Sequence, residues 1–462
     1  MVAGRDHYRL RQGGRIAGVG LGLGPAPALA CALPPSIVMT LPTGRYMLGA
    51  ALAVALTGVL AAVARRLPEM RAITVGHRPV LVPECVASGI GFLLALVLVA
   101  VGVLGPRDPM HNLLTLVFWT VVWVALPLAS MVCGNLWRGL NPWTGPVRAV
   151  RLLIGWQGHI GLARLGELPA VLGLMAFSWF QIVSLSPDDP LVLAMAISAY
   201  WLVIFVLAVA EGEEWLDKGE FLTVYVGYLS RIAPVWAESD GARLRIMAGW
   251  PGTQVLGMAP LGASQVAFVT LALAALTFDG LRETFWWLAL IGENPLEFSG
   301  RSAVMVENTM GLAAAWGLTV ISILGALALG RRISGASMPT GPVMLSFLAI
   351  AAGYHGAHYL LTLLTAGQYT LAALNDPLFQ GDALLGLPPF YVSMGFLTDR
   401  GMMTAIWNVQ FVAILGAHVL AVVLALQLSE QRARGLAHLP LTVLMVGYTI
   451  LGLWLLASPT GA

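Results

Sequence analysis

The chain is built from long, continuously apolar runs, and each is close to the roughly 20 residues a helix needs to cross a bilayer. Ten such runs fall at about 46–64, 86–105, 112–133, 168–185, 190–210, 256–278, 306–330, 341–365, 401–428 and 439–457. They are unbroken rather than alternating. That predicts helices and argues against a barrel, whose strands alternate lipid-facing and lumen-facing side chains. Charged residues make up 10% of the 462, against roughly 25% in an ordinary soluble domain. Mean hydropathy is +0.81. With so few charges, most of the surface must face lipid. The expected fold is all-α: a polytopic transmembrane helix bundle of about ten spans, with residues 33–462 as a single membrane domain.

Residues 1–32 read as a signal-like segment. Arg9, Arg11 and Arg15 precede an apolar stretch from Ile16 that ends in Ala30-Cys31-Ala32. A basic start, a short apolar core and a small-residue exit are the parts of a secretory signal. The glycines and prolines between Gly20 and Pro27 keep an uncleaved first span as the alternative.

Arginine placement orients the bundle. Alternate connections carry Arg65, Arg66, Arg71 and Arg78; Arg138, Arg148, Arg151 and Arg164; Lys218, Arg231, Arg243 and Arg245; Arg331 and Arg332; and Arg432 and Arg434. The opposite connections hold only Arg107, Arg282, Arg301 and Arg400, with Arg45 ahead of the first span. Positive loops stay cytoplasmic. The expectation is a multi-pass protein of the bacterial inner (cytoplasmic) membrane with an extracytoplasmic carboxyl terminus. Two cytoplasmic connections are long. The tryptophans of 134–167 suit an interfacial re-entry or a surface helix, and 211–255 opens on Glu211, Glu213 and Glu214, acids that suit a solvated span end.

Several chemistries are excluded. The single lysine, Lys218, is followed by Gly219, so there is no phosphate-cradling Gly-Lys-Ser/Thr step. Cys31, Cys85 and Cys133 form no Cys-x-x-Cys unit, which removes thiolate zinc sites and c-type haem attachment. No His-Glu-x-x-His helix and no Gly-x-Ser-x-Gly elbow occur. A net charge of +2 implies no nucleic acid partner. The partner to expect is the lipid bilayer.

The polar residues that remain inside apolar runs are few. His355 and His358 lie in the eighth run, and a spacing of three puts both imidazoles on one helical face. His418 lies deep in the ninth. Asp279 and Glu283 end the sixth, one turn apart, with Arg282 beside them. Ionisable groups at such depth are costly and by default mark a working site. Three imidazoles with one or two carboxylates have the composition of a Zn, Cu, Mn or Fe site, and a metal-bound water attacks esters. Haem b is a further alternative, and it needs His355 or His358 to face His418 across helices. The plainer alternative is that the histidines hydrogen-bond to carbonyls, to Tyr354, Tyr359 or Gln410, and only join helices.

Six stretches in combination carry a likeness: Leu41–Leu56, Gly134–Trp143, Thr277–Thr284, the Ala357-His-Tyr-Leu region, Asn375–Leu378 and Gly416–Leu420. Together they resemble a bacterial family of integral membrane proteins labelled membrane-bound fenitrothion hydrolase. The resemblance covers nearly the whole chain after residue 32. It implies hydrolysis of an organophosphate triester, with a companion membrane or periplasmic subunit, and it carries over no catalytic residues.

Three functions follow from these readings. The first is a metal-assisted hydrolase of lipophilic phosphoesters, with His355, His358 and His418 holding the metal and Asp279 and Glu283 as catalytic carboxylates. The second is a transporter, or a membrane subunit that binds metal or protons without hydrolase activity. The third is a structural subunit.

Overall fold

The computed structural model describes residues 43–63, 69–241, 243–297, 300–335, 338–387, 392–429 and 436–458. The signal-like segment lies outside them, as do Arg65, Arg66, Arg432 and Arg434. Among the described residues nine helices are long and apolar enough to span a membrane, and a tenth apolar helix is shorter. In chain order with one buried short helix, these are α1 (Thr43–Val63), α2 (Glu84–Leu104), α3 (Leu113–Cys133), α4 (Leu168–Ile182), α5 (Pro190–Glu211), α6 (Phe221–Leu229), α7 (Ala263–Leu281), α8 (Met305–Ser334), α9 (Phe347–Asn375), α10 (Arg400–Gln427) and α11 (Leu439–Ala457). The protein is thus an all-α membrane bundle; most spans match the apolar runs of the sequence to within a few residues, while α7 begins seven residues later than the run at 256 and α9 extends ten residues beyond 365.

Local chemistry sets the helix ends. Asp189, Glu220 and Asp399 each cap a following helix by accepting from backbone N–H groups in its first turn, which satisfies donors that have no intrahelical partner. Within α3, Val117–Ala125 winds as a π-helix. Pro127 follows it. A proline has no N–H to give and crowds the carbonyl four residues back, here Trp123; widening the preceding turns accommodates it.

Three features were not foreseen. The first is α6, which is too short to span, yet eight of its nine residues are buried. It occupies the kind of buried re-entrant position that the tryptophans had suggested for 134–167. That connection forms the short helix Trp137–Leu140 and the amphipathic helix Thr144–Ile154, whose Leu152, Leu153 and Ile154 are exposed, in keeping with the surface-helix alternative. The second is a three-stranded antiparallel sheet of β1 (Ala72–Pro79), β2 (Val235–Asp240) and β3 (Arg243–Gly249), ordered β1-β3-β2. Glu238 pairs with Arg245 directly across β2 and β3. The third is Glu211, which is buried rather than solvated. Its carboxylate accepts from the backbone N–H groups of Ile160, Gly161, Leu162 and Ala163 and so ties the end of α5 to the connection before α4.

Candidate functional site

The site stands where α4, α7 and α9 meet. Gly341, just before α9, packs so closely on the backbone of Leu261, just before α7, that a Cβ there would lie 2.5 Å from the Leu261 oxygen. The two helices therefore rise from a common level. At about 1.5 Å per residue, Asp279 and His358 then stand at similar heights, in the half of the bundle away from the sheet. Asp279 is in the last turn of α7 and 5% exposed. Its Oδ2 accepts from three side chains: His358 Nε2 at 3.1 Å, Tyr359 Oη at 2.9 Å and Gln181 Nε2 at 3.2 Å. Its Oδ1 accepts from Arg282 Nε at 3.2 Å. Gln181 also bonds to Tyr359 Oη at 2.9 Å. One carboxylate thus joins three helices through four donors, as the low dielectric of an interior demands of a buried charge.

These contacts fix the tautomer of His358. An ionised carboxylate only accepts, so Nε2 carries the hydrogen and, in the neutral ring, Nδ1 keeps a lone pair. Nδ1 faces Gly280: a Cβ at that position would sit 3.7 Å from His358 Nδ1 and 3.1 Å from Tyr354 Oη. The Tyr354 and His358 rings stack at 5.8 Å. Arg282 continues the cluster outward, pairing with Glu283 at 2.8 Å.

His355, one turn from His358, belongs to a different group. It is fully buried, and its Nδ1 lies 2.9 Å from Tyr225 Oη on α6. Trp123 of the π-helical segment, Tyr225 and Tyr359 surround it at ring distances of 5.6, 5.7 and 4.8 Å. His418, 2% exposed, bonds through Nδ1 to the Ile414 carbonyl of its own helix at 2.8 Å. The structure therefore brings Asp279 together with His358, and leaves Glu283 one ion pair away on Arg282. His355, His358 and His418 take three different partners. Among the described residues, no group of three or more His, Cys, Asp or Glu side chains converges to hold a metal ion. Gln410 reaches the Ala357 carbonyl at 2.8 Å and joins α10 to α9.

Sequence reasoning missed Gln181, which stands out as the one amide in the run of α4. It also missed Tyr225, since a tyrosine in a cytoplasmic connection carries no sign of being drawn into the bundle. Two further buried carboxylates were overlooked nearer the sheet. Glu167 accepts from Tyr228 at 2.8 and 3.0 Å and from Gln265 at 3.1 Å. Glu220 accepts from Tyr200 at 2.7 Å as well as capping α6.

In comparisons with family models, with curated proteins and with solved structures, no match to this chain was found.

Proposed function

We propose that this is a proton-handling integral membrane protein in which Asp279 and His358 form a dyad that takes up and releases one proton. The observation that carries this reading is the hydrogen bond from His358 Nε2 to a carboxylate held by three further donors. Asp279, held as an acceptor by its four donors, occupies His358 Nε2. His358 Nδ1 is then the atom that gains and loses the proton. An intramembrane carboxylate–imidazole pair is a recurring element of proton relays. Arg282 and Glu283 supply the polar link toward the connection that follows α7.

The test is proton uptake by proteoliposomes that enclose a pH-sensitive dye, driven by an imposed potassium diffusion potential. The wild type is expected to take up protons, and Asp279→Asn and His358→Gln to reduce that uptake strongly. Uptake at wild-type rate in both variants, with normal thermal stability, would falsify the dyad.

A second reading is favoured by the same orientation. A carboxylate on one imidazole nitrogen leaves the other as a general base, the arrangement that activates nucleophiles in Asp–His pairs. In a hydrolase of lipophilic phosphotriesters, as the resemblance implies, His358 would deprotonate the attacking water and Arg282 would face the phosphoryl charge. Release of nitrophenol from an aryl phosphotriester by the same proteoliposomes supports this reading. Its absence, with proton uptake present, removes it.

A further inference from the structure

One small cavity lies inward of the dyad, at the junction of α7, α9, α10 and α11. Its volume is about 10 Å³, and its polar lining is Thr277, Tyr354, His418 and Tyr448. About 10–15 Å³ on this measure is the space of one water molecule. Two of the lining groups are buried side chains whose polar atoms have no hydrogen-bond partner in the protein: His418 Nε2 and Tyr354 Oη. Their chemistry is complementary. The Ile414 carbonyl can only accept, so His418 Nδ1 carries the hydrogen, and Nε2 of the neutral ring presents a bare lone pair. Tyr354 Oη offers one hydrogen and accepts others. Thr277 donates to the Leu273 carbonyl and Tyr448 to Thr319 Oγ1, which leaves both hydroxyl oxygens able to accept. A water here would donate to His418 Nε2, accept from Tyr354 and have a further acceptor within the lining. That meets the two to four partners a buried water typically needs. An empty cavity of this size would leave both orphan atoms desolvated with no hydrogen bond in return.

The ring of the same tyrosine stacks on His358 of the dyad. Tyr354 Oη and His358 Nδ1 both face the side of Gly280 where a Cβ is missing. We infer that the cavity binds one water molecule, and that Tyr354 and this water extend the proton path of the dyad inward to His418. This rests on the dyad reading above. Tyr354 Oη makes no hydrogen bond to His358 Nδ1 at rest, so the transfer begins with a small rotation that brings the two atoms together beside Gly280; the proton on His358 Nδ1 then passes to Tyr354 Oη as the hydroxyl proton passes to the water, and a water proton passes to His418 Nε2. Each oxygen gives one proton and takes one, and a single positive charge moves from His358 to His418. Gly353 is packed on the Ala413–Ala417 turn of α10, so His418 lies near the level of residue 353. That is about 8 Å inward of His358 at about 1.5 Å per residue. The neutral tautomer of His418, with its lone pair toward the cavity, makes it the acceptor.

The experiment has two arms on the full chain in lipid bilayers. In the first, histidine is labelled with ¹⁵N, and solid-state NMR reads transfer of polarisation from water protons; the His418 signals are assigned by their loss in His418→Leu. A water-correlated, non-protonated Nε2 is expected. A neutral Nε2 with no water correlation means a dry cavity and overturns the proposal while leaving the dyad untouched. In the second arm, Tyr354→Phe removes only the hydroxyl and keeps the ring packing, and potential-driven proton uptake is measured. A several-fold fall is expected, with the His418 Nδ1 signal unchanged as the check on folding. Wild-type uptake in Tyr354→Phe beside a slow Asp279→Asn overturns the extension alone. Wild-type uptake in both overturns the dyad reading on which it rests.

Discussion

Buried carboxylates in this bundle are handled one by one, and Glu167 is the clearest case outside the spans. Burial pushes its carboxyl above the ordinary range, while hydrogen bonds from Tyr228 and Gln265 and the charge of Lys218 pull the other way. A carboxyl raised in the folded state stabilises the fold at low pH, and that contribution is lost as pH rises through the folded value. Glu167→Gln keeps an acceptor for its partners and removes the titration. The variant is expected to match the wild type in thermal stability at acidic pH and to exceed it at neutral pH, as read by melting curves across that range. A variant that is less stable at neutral pH would mean that the charge itself is needed. At this scale the sequence was informative about which residues are unusual, and uninformative about their partners. Asp279, His355, His358 and His418 were visible as ionisable groups in apolar runs. Gln181 and Tyr225 were not, because which face of a helix meets a neighbour depends on its rotation. A helix that is apolar all round, such as α4 or α9, carries no stripe to fix that rotation.

The same limit acts on whole elements. Long spans were legible because 20 apolar residues can do little else. The helix α6 was not, since nine residues cannot span and nothing in their composition says that they enter the bundle. The sheet escaped because its strands are short and carry charges, and because β1 pairs with β3 across more than a third of the chain. What the elements do reveal is close packing at particular glycines. Gly91 and Gly89 lie two residues apart on α2. A Cβ on Gly91 would overlap the Leu140 carbonyl oxygen, whereas one on Gly89 would meet nothing. Beside them Ser88 donates to the Asn141 carbonyl at 2.6 Å and accepts from the Gly145 N–H at 2.8 Å, so this face of α2 is locked to the connection after α3. Gly91→Ala is expected to destabilise the protein by about 1–3 kcal/mol, the usual cost of forced overpacking. Gly89→Ala should leave stability unchanged or raise it. Equal melting temperatures for the two variants would show that the junction yields.

Across the whole molecule, contacts between connections sort the bundle into two ends. At one end β1 pairs with β3, Arg138 pairs with Glu84, and Arg148 pairs with Glu213, so the connections after α1, α3 and α5 touch one another. At the other, Arg107 pairs with Asp189, the His111 ring packs on Phe379 at 4.2 Å, and Arg301 donates to the carbonyls of Gln181 and Ser184. There the connections after α2, α4, α7 and α9 meet. This partition comes from geometry alone, and it is the partition drawn by arginine content. The arginine-rich end is the one with the sheet, and the dyad lies toward the arginine-poor end. Positive connections are retained in the cytoplasm, so the sheet is expected inside and the dyad is expected to open outward. α11 is then expected to run from the inner end to the outer one and to place the carboxyl terminus outside the cytoplasm. A reporter enzyme active only outside the cytoplasm, fused after Ala462, is expected to work, and one placed in the β2–β3 turn at Gly241 is expected to be silent. Because the two ends are tied by contacts as well as by charge, an inverted result at both fusions would reverse the orientation while keeping the bundle. The reverse at only one of them would break the span count itself, which no change of orientation could repair.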